Sequence, residues 1–158
     1  MYGQEVSLRE KIVNDYRADL ERLLRYLPYF DKKSGKDVQS FYDGDSTFES
    51  IPVPVYDSTL LSFVKEVKKT KFWFRNYPYT YRKYHIMTPG DERKIMENAM
   101  LRDIDIFRCI ISRYVIEGQT KSVMWTRGVE ERIFVTALDC MHKLFTEFDA
   151  ELKGKGLN

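Results

Sequence analysis

The stretch Ile104–Ile116, IDIFRCIISRYVI, decides the fold. Ile104, Phe107, Ile110, Ile111 and Tyr114 dominate it and leave almost no polar face, the pattern of a helix buried on all sides. A buried helix needs other helices around it, so Ile104–Val115 is expected at the centre of an all-α fold. Upstream, Thr88 and Pro89 read as an N-cap and first helical residue, and Asp91 and Glu92 sit in the first turn, where the helix dipole favours negative charge. The helical region therefore runs from near Pro89 to about Glu117, with a break near Arg102. Gly118 supplies a left-handed residue to end it. The polar turn QTKS then leads to a last helix, about Val123 to Glu151. Its apolar face holds Val129, Ile133, Ala137, Cys140, Met141, Leu144, Phe145 and Phe148.

Towards the start of the chain, Ser7 and Glu10 have the spacing of a capping box and open a first helix. Leu8, Ile12, Tyr16, Leu20, Leu23 and Leu27 recur along one face until Pro28 closes the run. Residues 29–56 are rich in Asp, Ser, Gly and Pro and read as a long irregular connection, tacked to the core by Phe30, Phe41, Tyr42 and Phe48. Asp57 caps a second helix with Leu60, Phe63, Val64 and Val67 on one face. The expected product is one domain over 1–158, a bundle of four or five helices. A two-stranded element from residues 51–56 and 77–84 is the most β-structure expected, and 153–158 is expected to be a flexible tail.

With 158 residues, 43% of them apolar, the chain fills one core. Lys and Arg number 26 against 24 Asp and Glu, so any basic surface must be local. The start, MYGQEVSLREK, has charge where a secretory leader would be apolar, and no run approaches a membrane span. Cys109 and Cys140 both fall in apolar helical patterns and suit a reducing compartment. A cytoplasmic protein is expected.

Catalytic and metal chemistry leave little trace. Only His85 and His142 are available as histidine ligands, without a metal-binding spacing, and phosphate-binding glycine motifs are absent. No cofactor, metal or catalytic residue is expected. The acid pairs Asp43/Asp45, Asp103/Asp105 and Glu130/Glu131 are sequence neighbours, which fit turns and solvated helix faces better than converging catalytic acids. An enzyme built from scattered residues stays open as a further alternative.

One segment stands apart. KKTKFWFRNYPYTYRKYH, Lys68–His85, combines seven aromatics with six Lys or Arg and has no carboxylate. Phe72 and Phe74 read as core anchors. Pro78 holds Tyr77 extended, so that Tyr77, Tyr79 and Tyr81 alternate with Thr80 and Arg82. The candidate binding residues are Lys68, Lys69, Trp73, Arg75, Tyr79, Tyr81, Arg82 and Lys83. A protein partner is the first expectation, because Tyr, Trp and Arg dominate interface energies. Single-stranded nucleic acid is the alternative, with the cations (Lys71 among them) on phosphates and Trp73, Tyr79 or Tyr81 as stacking platforms. The plainer reading has the aromatics covering the core while Lys and Arg stems extend along its edge.

Three stretches, RYLPYFDKKSGKDV, IPVPVYDSTLLSFV and CIISRYVIEGQTKSVMWTRGVEERIFVTALDCMHKLF, span most of the chain. In order they resemble a family of small bacterial and phage-associated proteins classed as a domain of unknown function. The shared features are the aromatic-Pro connection, the Pro-x-Pro-x-Tyr-Asp lead-in to the second helix and the turn to Trp125. Members often carry a charged Arg-Gly-Glu-Arg type turn before that Trp, whereas this chain has Glu117, Gly118, Gln119 and Thr120. The resemblance implies a small, mostly helical, intracellular or phage-borne protein, and transfers no functional residue. A phage or mobile-element origin would suit an inhibitor of a host system.

Overall fold

The computed structural model describes residues 2–33, 40–42, 53–55 and 57–154, with side chains over 8–33 and 57–154. The class is all-α. Eight α-helices lie among the described residues, more than the four or five expected: α1 Tyr2–Leu24, α2 Leu27–Lys33, α3 Ser58–Lys68, α4 Tyr77–Lys83, α5 Pro89–Glu97, α6 Ile104–Glu117, α7 Val123–Glu130 and α8 Ile133–Gly154. A single 3-10 turn, Leu101–Asp103, separates α5 from α6, at the break expected near Arg102.

Helix α6 is the axis of the molecule, with Phe107, Ile110, Ile111 and Val115 fully buried, and it packs against α3, α4, α5, α7 and α8. Helix α8 lies across α1, α2, α5 and α7 and buries Ile133, Phe134, Ala137, Leu138 and Met141. Four helices meet in an aromatic centre. Phe63 of α3 lies 4.7 Å from Phe30 of α2 and 4.9 Å from Phe134 of α8, and Tyr114 of α6 lies 6.1 Å from Phe134, with tilted or edge-on rings.

Several local expectations are corrected. Helix α1 begins at Tyr2, so Ser7 lies within it rather than at its cap. Leu8 is 48% exposed, while Val13, unassigned in the sequence reading, is buried. Pro28 sits in the first turn of α2, where its missing N–H breaks no helical bond, so it opens a helix instead of closing one. Within the 29–56 connection, β1 Ser40–Tyr42 pairs antiparallel with β2 Val53–Val55, Phe41 opposite Pro54. Residues 77–84 contribute no strand. The proposed anchors Phe41, Tyr42 and Phe48 and the pair Asp43/Asp45 lie outside the residues whose side chains are described.

The expected last helix is two, divided at Glu131 and Arg132, and Arg132 takes the left-handed conformation with φ 60°. Gly118 is not left-handed, at φ −66°; its missing Cβ instead makes room for the Trp125 indole, which a methyl there would meet at 2.1 Å. Helix α8 continues to Gly154, so the tail expected from 153 starts within a helix, and its remainder is outside the described residues.

Candidate functional site

The aromatic-basic segment begins where α3 stops. Thr70 is buried and ends the helix: its hydroxyl donates to the Val67 carbonyl at 2.8 Å and accepts the Phe72 N–H at 3.2 Å. The chain is then clamped from both sides. Ser112, buried in the middle of α6, donates from Oγ to the Phe72 carbonyl at 2.7 Å and accepts the Phe74 N–H at 2.8 Å. On the other side, the Lys71 N–H donates to Asp19 Oδ2 at 2.9 Å and Lys71 Nζ to the Asp15 carbonyl at 3.0 Å. Arg108 Nε donates to the Lys71 carbonyl at 2.8 Å, and its guanidinium lies over the Phe74 ring at 4.6 Å. Phe72 is fully buried, as expected of an anchor, whereas Phe74 is half-buried beneath Arg108.

The segment 77–83 is the helix α4, not an extended row. Pro78 occupies its first turn, where a fixed φ suits a helix. Tyr77 and Tyr81, four residues apart, therefore share one face, with rings 6.2 Å apart, and Tyr79 projects from the other, 56% exposed. The helix ends in a Schellman arrangement. His85 adopts φ 54° and donates its N–H to the Arg82 carbonyl at 3.3 Å, while the buried Ile86 donates to the Tyr81 carbonyl at 3.0 Å. His85 thus turns the chain towards α5. Thr88 and Asp91 form a capping box there, and the Met87 and Thr88 N–H groups donate to Asp91 Oδ2 at 3.0 and 3.1 Å, holding its carboxyl below the ordinary 3.8.

The inward face of α4 meets a buried polar cluster that the sequence did not reveal. Glu92 of α5 is completely buried. Its carboxylate accepts the hydroxyls of Tyr81 and Tyr114 and the Arg113 guanidinium, the last at 3.1 Å. Beside it, the Tyr77 hydroxyl donates to Glu117 at 2.9 Å, and Arg113 pairs with Glu117 at 3.4 Å. Burial, the Glu117 hydrogen bond and the Glu117 charge push the Tyr77 phenol up to about 12, against the pull of Arg113. Burial and the Glu92 charge raise Tyr81 and Tyr114 as well. The cluster ties α4, α5 and α6 together through three phenols and one guanidinium that meet two carboxylates, Glu92 and Glu117. Cys109 also faces α4: its thiol donates to Thr80 Oγ1 at 3.1 Å, and burial raises its pKa, away from the reactive thiolate.

The candidate binding residues accordingly separate into two groups. Lys68 and Lys69 are exposed at the end of α3, and Lys68 Nζ stands 6.0 Å from the Trp73 ring, itself half-buried against the core. Arg75, Tyr79, Arg82 and Lys83 are exposed on and before α4, and Tyr81 is turned inward to Glu92. Two residues absent from the sequence-derived set join the second group. Tyr84 is 42% exposed with Lys83 Nζ 5.3 Å from its ring, and Met87 is 80% exposed. Among the described residues no group of three His, Cys, Asp or Glu could hold a metal ion, and no helix is long and apolar enough to cross a membrane. No family model, curated protein or solved structure matched the chain.

Proposed function

We propose that this is a non-enzymatic interaction protein that binds another protein through the outer face of α4. The carrying observation is the two-sidedness of that helix: Tyr77 and Tyr81 are bonded into the molecule, and Tyr79, Arg82, Lys83 and Tyr84 are presented outward. Exposed tyrosines and arginines on an element held rigid from behind suit an interface, because little backbone freedom is lost on binding. Nucleic acid is the less favoured partner, since Trp73 and Tyr81, two of the three stacking candidates, are half-buried against the core. The protein acts in the cytoplasm on this reading, and the resemblance to small bacterial and phage-associated proteins extends it to inhibition of a host system.

Affinity capture with tagged protein from cells of the source organism, with one portion nuclease-treated, tests the reading. A protein retained equally in both portions is the expected result. Loss of all retained material after nuclease would replace the protein partner with nucleic acid.

A further inference from the structure

Beside the outer face of α4 lies a groove of about 340 Å³, bounded by α4, the 3-10 turn and the start of α6. Phe74, Tyr79, Tyr84 and Ile106 give it apolar walls, and its volume falls in the usual range for bound small groups, roughly 300 to 1,000 Å³. Its charges are unequally engaged. Of the two carboxylates in the wall, Asp103 accepts the Met100 N–H at 2.8 Å and Asp105 pairs with Arg108 at 2.9 Å. The two cations in the wall, Lys83 and Arg102, are exposed and form no ion pair among the described residues. Arg82 is likewise exposed and without an ion pair there. Asn76, also in the wall, is the N-cap residue of α4, yet its carboxamide makes no capping bond, which leaves it free to pair with a peptide main chain.

We propose that this groove takes an acidic peptide segment of the partner protein, one apolar or aromatic side chain entering between Tyr79 and Tyr84 while flanking carboxylates meet Lys83 and Arg102. The proposal rests on the protein-binding reading above. Charge complementarity selects the occupant: the wall's anions already have donors, and its cations lack acceptors. A phosphate backbone fits less well, because the recess is a single pocket, not a continuous basic track.

Fluorescence anisotropy with four labelled probes tests it: the heptapeptide Asp-Glu-Asp-Phe-Asp-Glu-Asp, the same peptide with Ala for Phe, the basic Lys-Arg-Lys-Phe-Lys-Arg-Lys, and a short oligothymidylate. The acidic Phe peptide should bind about tenfold tighter than each of the others, the equivalent of one good charged or buried contact. Lys83→Glu with Arg102→Glu should remove that preference, and Tyr79→Ala should weaken the acidic Phe peptide about as much as replacing its Phe does. Lys121→Glu, on the exposed turn after α6, should change neither. Melting temperatures of the variants should stay close to that of the parent, which separates lost binding from lost folding. Equal binding of acidic and basic peptides, tighter binding of oligothymidylate, or undiminished acidic-peptide binding by the charge-reversed protein overturns the proposal.

The captured partner separates this proposal from the one beneath it. A nuclease-resistant partner held equally by the parent and by Lys83→Glu with Arg102→Glu would overturn the groove and leave protein binding standing. Selective acidic-peptide binding without any captured protein would support the groove and contradict the wider reading.

Discussion

Glu92 shows how one side chain can hold three helices. Its carboxylate receives Tyr81 from α4 and Arg113 and Tyr114 from α6, all without contact with water on its own side chain. Glu92→Ala should destabilise by about 3 to 5 kcal/mol, because it leaves the buried phenols of Tyr81 and Tyr114 without their acceptor and takes away one of the two carboxylates that Arg113 pairs with. Glu97→Ala, exposed at the end of the same helix, should shift stability by less than about 0.5 kcal/mol. Urea unfolding of both variants checks the contrast. Gly118 offers a second test at this scale. Trp125 lies where a Cβ would project, and its indole is fixed by a hydrogen bond from Nε1 to the Val115 carbonyl at 3.1 Å. Gly118→Ala should therefore cost about 1 to 3 kcal/mol through overpacking, although its backbone is ordinary helix. Gly90→Ala, where the nearest atom is 3.6 Å from an added Cβ, should be close to neutral in the same melting experiment.

Helix α4 is the element on which the site depends, and the sequence misread its geometry. Tyrosines at 77, 79 and 81 satisfy a two-residue alternation, and a residue before proline leans towards extended backbone, so a strand fitted both signals. The same residues also satisfy a four-residue repeat, and the pull of Glu117 and Glu92 on Tyr77 and Tyr81 decides for the helix. Glu92 itself read as a first-turn acid, because its partners lie on neighbouring helices and leave no spacing signature. A pH dependence follows from the phenols. Tyr77 is raised from 10.0 to about 12, and Tyr81 and Tyr114 are raised too, so each folded phenol holds its proton more tightly than the unfolded one. Their stabilisation is complete below about pH 10 and declines as pH rises past it, the Tyr77 share until about pH 12, since unfolding then releases phenols that ionise. Tyr77→Phe with Tyr81→Phe should flatten that alkaline decline in the urea midpoint; an unchanged slope would place these hydroxyls outside the cluster.

At the scale of the whole molecule, the legible part was the core. The central role of Ile104–Val115, the caps at Asp57 and Thr88 and the apolar faces of α3 and α8 follow local rules of period and capping, and the structure reproduces them. What local pattern does not encode is where helices divide: Arg25 and Tyr26 separate α1 from α2, and Glu131 and Arg132 separate α7 from α8, inside runs whose periodicity continues across the break. Leu20 and Ile111, each 2% exposed or less, should lose about 2 to 5 kcal/mol on replacement by Ala, and the exposed Glu21 far less. Equal shifts of the urea midpoint for all three would contradict the helix faces. The claim that matters most is that one helix is fastened on its inner face and offered on its outer one. Arg82→Glu with Lys83→Glu, measured together for partner capture and for thermal unfolding, tests it most directly. Capture should be lost while the melting temperature stays nearly the same, because both side chains are exposed and form no ion pair among the described residues. Undiminished capture by a protein carrying both reversals would contradict it and leave α4 as no more than a cover for the core.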